Sequence, residues 1–446
     1  MSTVGQTERA TQNRVLALFR NELGYRALGD WTDRDGNSNI EESLLTAYLR
    51  KAGHASEQIS RAIYLLRTEA DNPNRSLYDN NKAVYSRLRY GVPVKIEAGK
   101  VTETVKVINW ELPEANDFAI AEEVTLRGNL ERRPDLVLYI NGIAIGVIEL
   151  KNSRTSIGHG IRQNLSNQQL EFNAWFFSTV QFVFAGNDSE GLQYGTVGTQ
   201  EKYFLKWKED ETDNSRLKLD KYLLKMCAKA RLIELMHDFV LFDGGVKKLP
   251  RVHQYFGIKA AQERVNAYKG GILWHTQGSG KSIVMVLLAK WILENKPNAR
   301  VVIVTDRDEL DKQIEGVFKE TGEPITRTSS GRHLMSQLGQ ATPRLLCSLV
   351  HKFGPRGVDD FDAFIKELKA QPSRTVGRNL CLRGRVPPLA ERQAAPGHEG
   401  ADAGGRLHRL HRHPAAEAGR PDQPRSFRRL HPHLQVQRGR GRWRGA

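Results

Sequence analysis

The sequence predicts an α/β chain of two folded units followed by a polar tail, and three observations carry this. An Asn141-Gly142 turn joins two apolar, β-rich runs. A glycine-rich loop, Gly278-Ser279-Gly280-Lys281-Ser282, opens an apolar helix after a short apolar run. The composition then changes abruptly near Arg374. A chain of 446 residues is long enough for about two to three domains. The expected division is 1–245, 246–373 and 374–446.

The start is polar and no apolar run approaches the length of a bilayer crossing, so a cytoplasmic protein without membrane segments is expected. Cys227, Cys347 and Cys381 have no metal-ligand spacing and fit a reducing compartment. The net charge of +16 points to a nucleic-acid partner, but its distribution matters. Residues 374–446 hold 16 Arg, no Lys and 5 acidic residues, a net +11, which leaves +5 for the other 373 residues.

The first segment, to about Gly91, is helical in pattern. Val15, Leu16, Leu18 and Phe19 cluster, and Asn39 is expected to cap a helix over 40–49 with Glu41 and Glu42 in its first turn. From Val92 the period shifts to strands, expected at 105–108, 118–121 and 124–127. Arg133 to Ile140 and Ile143 to Lys151 then flank Asn141-Gly142, a strong hairpin signal.

This hairpin bears Asp135, Glu149 and Lys151. Glu149 and Lys151 are two apart on one strand and project from one face. Two carboxylates can hold Mg²⁺ against a phosphodiester, and the lysine can orient or deprotonate water and balance charge. Register decides whether they meet. A plain two-residue turn opposes Asp135 to Ile148, which sends Asp135 to the wrong face. The metal site therefore requires a bulged loop with Gly142 in the left-handed position, or an Asp135 that lies before the regular ladder. A surface ion pair on an edge strand is the plainer alternative.

Lys206 to Lys225 is charge-dense and reads as a solvated connector and helix face. Leu232 to Phe242 reads as a helix, and Gly244-Gly245 as a boundary. In the second unit, Ile272-Leu273-Trp274 reads as a short strand feeding the loop, and Ile283 to Leu293 as the helix beyond it. Gly278 and Gly280 let backbone N–H groups converge on phosphate at the helix N-terminus. Thr276, Gly278, Ser279 and Gly280 are thus expected to cradle ATP, with Lys281 on the β/γ-phosphates and the Ser282 hydroxyl on Mg²⁺. His275 stands where the full pattern has its first glycine. Arg300 to Thr305 and Leu345 to Phe353 read as further strands, the first leading to Asp306, a carboxylate that could also be read as a metal acid.

Arg133-Pro134-Asp135-Leu136-Val137 with Glu149-Leu150-Lys151-Asn152 resembles the PD-(D/E)xK nuclease core of the restriction (R) subunit of type I restriction-modification enzymes. The likeness extends to Leu23-Gly24-Tyr25, Asn116-Asp117-Phe118, Ile161-Arg162-Gln163-Asn164, 176–181 and 185–188. It implies that Asp135, Glu149 and Lys151 are nuclease residues, with Gln163 in a supporting QxxxY motif whose Tyr position holds Asn167. It implies a partial RecA-like superfamily-2 motor lobe, with Gln254 reading adenine, Gln262 as runner-up, and Asp306 in a DNA-contact motif. It also implies ATP and Mg²⁺ as cofactors, and double-stranded DNA with methyltransferase (M) and specificity (S) subunits as partners.

No DEAD/DECH-type box appears where the resemblance places one. Asp359-Asp360-Phe361-Asp362 lacks a preceding apolar strand. From Arg374 the Arg/His/Pro/Gly/Ala-rich tail is expected to be disordered, with His408, His411 and His413 merely compositional. It reads as the product of a reading-frame shift in a GC-rich gene, against the competing reading of an arginine-rich nucleic-acid tail. Weak or no ATP turnover is therefore expected of this polypeptide. The alternatives to an ATP- and Mg²⁺-dependent endonuclease are a non-catalytic DNA-binding or complex-assembly fragment and a repair helicase–nuclease.

Overall fold

The computed structural model describes residues 7–96, 101–276, 278–305, 315, 325–340, 342–349 and 378–383. The chain opens with α1 (Glu8–Asn21), β1 (Arg26–Asp30), α2 (Glu42–Lys51), α3 (Ser56–Ala70) and α4 (Leu77–Tyr90). A separate small hairpin, β2 (Val92–Val94) with β3 (Glu103–Val105), follows. Next come β4 (Phe118–Glu122), β5 (Leu136–Ile140), β6 (Ile143–Leu150), α5 (Ile157–Asn167), α6 (Ala174–Phe177), β7 (Phe182–Asn187), β8 (Gly191–Gly195) and β9 (Leu205–Lys206). These strands form a seven-stranded mixed sheet in the order β1-β4-β5-β6-β7-β8-β9.

Both faces of this sheet are covered. Leu136, Leu138 and Ile140 join a core with Val15, Leu45, Ile63 and Leu88 from the opening helices. Val137 and Tyr139 join a second core with Ile157 and Ile161 of α5 and with Phe176 and Phe177. Strand residues buried on both sides explain why β5 and β6 read as continuous apolar runs.

Local expectations hold in part. Asn39 does not cap α2, which starts at Glu42 with Glu41 as its N-cap. The Asn39 amide donates instead to Trp175 O and Ser178 Oγ, tying the α2 entrance to α6. Of the strand expected over 105–108 only Val105 is in a strand, at the end of β3. Residues 124–127 form no strand, because only Leu126 pairs, in an isolated bridge to Arg132.

The charged stretch expected to be a solvated connector ends in α7 (Lys218–Cys227), whose Leu219, Leu223 and Met226 are buried. The run expected as one helix over 232–242 divides into α8 (Lys229–Asp238) and β10 (Leu241–Asp243). Gly244 and Gly245, both at positive φ, turn β10 into β11 (Val246–Lys248).

The remaining elements are α9 (Val252–Asn266), α10 (Lys281–Asn295), β12 (Ala299–Thr305), β13 (Thr326–Arg327), α11 (Gly331–Leu338), β14 (Leu345–Leu349) and β15 (Arg378–Arg383). Their strands make an all-parallel sheet in the order β13-β14-β12-β15. The core runs on from the first unit. Tyr255 of α9 lies 4.8 Å from Phe239 and 5.6 Å from Trp207 between ring centroids. Arg89 of α4, its side chain 1% exposed, is ion-paired with Glu294 at the end of α10.

Two corrections concern this sheet. Ile272-Leu273-Trp274 is not a strand: it pairs with none of the described strands, and Ile272 and Trp274 are exposed. A three-residue run between Gly271 and the loop gains no ladder hydrogen bonds without an adjacent strand edge. Conversely, Arg378–Arg383 lies in the segment expected to be disordered, yet it pairs in parallel with β12. Leu380 and Leu382 pack on one core and Cys381 on another, a period-2 alternation sufficient for one strand. Gln277, Asp306 to Gln313, Val350 to Phe353, Asp359 to Asp362, His408, His411, His413 and the rest of the tail lie outside the described residues.

Candidate active site

The hairpin solves its register problem in the middle of a strand. Asn141 (φ 53°) and Gly142 (φ 81°) are both left-handed, as a two-residue I′ turn requires. The turn is buried: the Asn141 amide donates to Val107 O at 2.9 Å and to Asn116 Oδ1 at 2.8 Å. A Cβ on Gly142 would stand 2.6 Å from Leu44 Cβ. Beyond the turn, Ile140 opposes Ile143 and Tyr139 opposes Ala144, but Leu138 opposes Gly146. Ile145 is thus the extra residue of a β-bulge.

That single extra residue reverses the parity of the strand. Ile143 and Ile145 face the helical core, whereas Val147 faces the α5 core with Val137 and Tyr139. Glu149 consequently shares a face with Asp135. Asp135 itself lies just before β5, with its carbonyl accepting from Glu123 N at 2.9 Å. The condition for two meeting carboxylates is met by this placement and by a mid-ladder bulge, not by a bulge at Gly142.

Leu150 N donates to Asp135 Oδ2 at 2.6 Å. Glu149 is wholly buried; Oε1 accepts one long bond, 3.5 Å, from Asn167 Nδ2. Its Oε2 has no hydrogen-bond donor among the described residues. Lys151 Nζ donates to Leu150 O at 2.8 Å and to Glu8 Oε1 at 3.1 Å. Burial pushes the Asp135 carboxyl up to about 6, against the opposing pull of Lys151 and the Leu150 N–H. Burial and then Asp135 raise Glu149 well above the ordinary carboxylate range. Burial alone would depress Lys151, but Asp135, Glu149 and Glu8 together raise it, so it stands as an ammonium at neutral pH.

A buried acid pair with an orphaned oxygen suits a divalent cation, whose charge would offset the burial that raises both carboxyls. Asp135 and Glu149 are the residues that would hold Mg²⁺. Among the described residues, no group of three or more His, Cys, Asp or Glu side chains is arranged to hold a metal. Water or substrate oxygens would have to complete the shell.

Gln163 is half-buried on α5, and no hydrogen bond among the described residues joins it to the carboxylates. Asn167, one turn on, is the α5 residue that reaches Glu149. Sequence reasoning also passed over Glu8 and Gln12. Gln12 Nε2 donates to Asp135 O at 3.3 Å, one helical turn from Glu8 on the same face of α1. An acid and an amide four apart in an opening helix were the only signal, and sequence offers nothing to tie them to a strand 123 residues away.

The second site is the glycine loop. Gly278 (φ 78°) and Gly280 (φ 80°) are left-handed, and Gly280 caps α10. Lys281 Nζ donates to the loop carbonyls His275 O at 2.9 Å and Thr276 O at 2.8 Å. Ser279 Oγ closes the turn onto Thr276 O at 2.7 Å. Ser282 is half-buried in the first turn of α10. Gln254 is buried with its amide committed to backbone: Oε1 accepts from Arg251 N at 2.9 Å and Nε2 donates to Ser279 O at 2.8 Å. His253 Nε2 approaches the same carbonyl at 3.2 Å.

A covered mixed sheet presenting carboxylates and lysine on one face, sharing a core with a second unit in which a phosphate-type loop opens α10 beside a separate parallel sheet, defines an α/β protein with two candidate sites. Residues 5–202 match the family model for the type I restriction enzyme R protein N terminus, and residues 253–376 match that for the SWI2/SNF2 ATPase. A Methanocaldococcus jannaschii protein provisionally named as the type I restriction enzyme MjaIXP endonuclease subunit is 27% identical over 352 residues, 70% of this chain and 33% of that protein. The type I restriction enzyme HindI endonuclease subunit of Haemophilus influenzae is 28% identical over 292 residues, 58% of this chain and 26% of its own length. The SsaAORF53P endonuclease subunit of Staphylococcus saprophyticus is 22% identical over 242 residues, 53% and 26%. The chain is a relative of the R subunits of type I restriction-modification enzymes, as its motifs indicated. It spans a third or less of the length of these relatives.

Proposed function

We propose that the chain carries the PD-(D/E)xK endonuclease centre and the ATP-gripping portion of the motor of a type I restriction enzyme. It acts on double-stranded DNA, in the cytoplasm, with methyltransferase and specificity subunits. The observation that supports this most directly is the meeting of Asp135 and Glu149 beside Lys151, with Glu149 Oε2 lacking a donor among the described residues. Mg²⁺ held there would supply Lewis-acid stabilisation of a phosphodiester under attack by water. Asp135 and Glu149 bind, and the Leu150 N–H fixes the Asp135 carboxylate in place. Lys151, held upward by the neighbouring carboxylates, neutralises phosphate charge and orients water. The Asn167 contact restrains Glu149.

At the glycine loop, Lys281 would exchange its two carbonyl partners for the β/γ-phosphates of ATP, and Ser282 would face Mg²⁺. Gln254 then acts first as a brace of the loop backbone, with any contact to adenine added to that. The division 1–245, 246–373 and 374–446 is a functional one, separating cutting, ATP grip and tail, save that Arg378–Arg383 joins the sheet of the ATP-grip unit. The competing reading of a non-catalytic assembly fragment makes the opposite forecast in one assay. Plasmid nicking that requires Mg²⁺ and is abolished in Asp135→Ala and in Glu149→Ala supports the endonuclease. Unchanged nicking in both variants, or none in the parent chain within its complex, refutes it.

A further inference from the structure

We propose that Glu8 is a positioning residue of the carboxylate–lysine site, holding Lys151 in place from α1 while Gln12, one turn later, holds the backbone of Asp135. The inference rests on the endonuclease reading and deepens it. Three observations carry it. The Lys151 side chain is 12% exposed, and its Nζ is shared between Glu8 Oε1 at 3.1 Å and Leu150 O at 2.8 Å. Two of the three ammonium donors are therefore fixed, which leaves one for substrate. Gln12, 3% exposed, donates to Asp135 O at 3.3 Å, so a single helix face reaches both partners of the hairpin. The start of α1 is itself fixed, because Thr7 Oγ1 accepts from Ala10 N at 3.3 Å.

A lysine head on four rotatable bonds gives up rotamer freedom when ordered, and Leu150 O alone gives it one direction only. A second, charged acceptor from a different element defines the position of the ammonium, as a reacting phosphate requires. The Glu8 side chain is 40% exposed, so the ion pair itself adds little to stability and its value lies in geometry.

The test uses the full chain in its complex. Glu8→Gln keeps the shape and removes the charge, and we expect a drop in kcat for DNA cleavage of about tenfold or more with KM changed less than about threefold. Glu8→Asp recovers part of the rate. In a Lys151→Met background Glu8→Gln has no further effect, since Glu8 acts through the lysine. Acylation of Lys151 at one fixed pH, followed by mass spectrometry, is faster in Glu8→Gln than in the parent because the amine is released. An unchanged kcat in Glu8→Gln, or losses that multiply independently with Lys151→Met, overturns the proposal and leaves the endonuclease reading intact. Should the parent fail to cut, the endonuclease reading falls, and unchanged Lys151 acylation then overturns the positioning role as well.

Discussion

Replacing Asp135 with asparagine is expected to stabilise the chain at alkaline pH while abolishing its cleavage activity. The carboxyl is held up to about 6, from an ordinary value of 3.8, chiefly by burial. Near pH 3 it is protonated in folded and unfolded chains alike. Between about 4 and 6 the folded chain keeps a proton that the unfolded chain releases, so stability falls as pH rises through this window and then levels off. Burial, and after it Asp135, push the Glu149 carboxyl upward too, so its contribution has the same sign. The loss above pH 7 amounts to roughly 2–3 kcal/mol. Asparagine can still accept from Leu150 N through its amide oxygen, so the variant avoids this loss without leaving that donor unpaired. For a unit of this size 1 kcal/mol moves the midpoint by about 2–4 °C. Thermal unfolding at pH 8 in EDTA should therefore place Asp135→Asn about 5 °C above the parent, and at pH 4 the two should coincide. Mg²⁺ should raise the midpoint of the parent at pH 8 and leave the variant unmoved. A parent whose midpoint is flat between pH 4 and 8, or a variant less stable than the parent at pH 8, would refute the account of a buried acid pair.

Two further outcomes follow from backbone geometry. Gly280→Ala should lose nucleotide binding, measured by calorimetry or fluorescent ATP analogues, because residue 280 sits at φ 80° and a Cβ there would stand 2.4 Å from Gln254 Nε2. Its backbone strain adds about 1 kcal/mol of destabilisation, which a Gln254→Ala partner change relieves only on the contact side. Deleting Ile145 removes the bulge but not the register beyond it, because Leu138 still meets Gly146 and Glu149 still falls opposite Asp135. Mg²⁺-dependent cleavage should therefore survive the deletion, and a folded deletion variant that no longer cuts would show that the bulge does more than set the pairing of Asp135 with Glu149.

The sequence by itself determined the α/β class, the hairpin at Asn141-Gly142 and the helix after the glycine loop, and it offered Asp135, Glu149 and Lys151 as the candidate trio. Those are local matters: turn chemistry, apolar period and residue type are written in contiguous stretches. It determined the requirement for a register shift as well, since parity is arithmetic on residue numbers. Where the shift occurs was decided only by the tertiary structure, which opposes Leu138 to Gly146 and leaves Ile145 as the extra residue. The same holds for Asn39, whose amide was drawn from a helix cap to Trp175 O and Ser178 Oγ by the packing of α6. Ile272-Leu273-Trp274 has the composition of a strand, but a strand needs a neighbouring edge, and composition cannot supply one. Leu380 and Leu382 show the converse, since their short alternation became a strand once β12 offered its flank. Glu8 and Gln12 stand more than a hundred residues before the groups they hold, and only the folded chain brings that helix face to the hairpin.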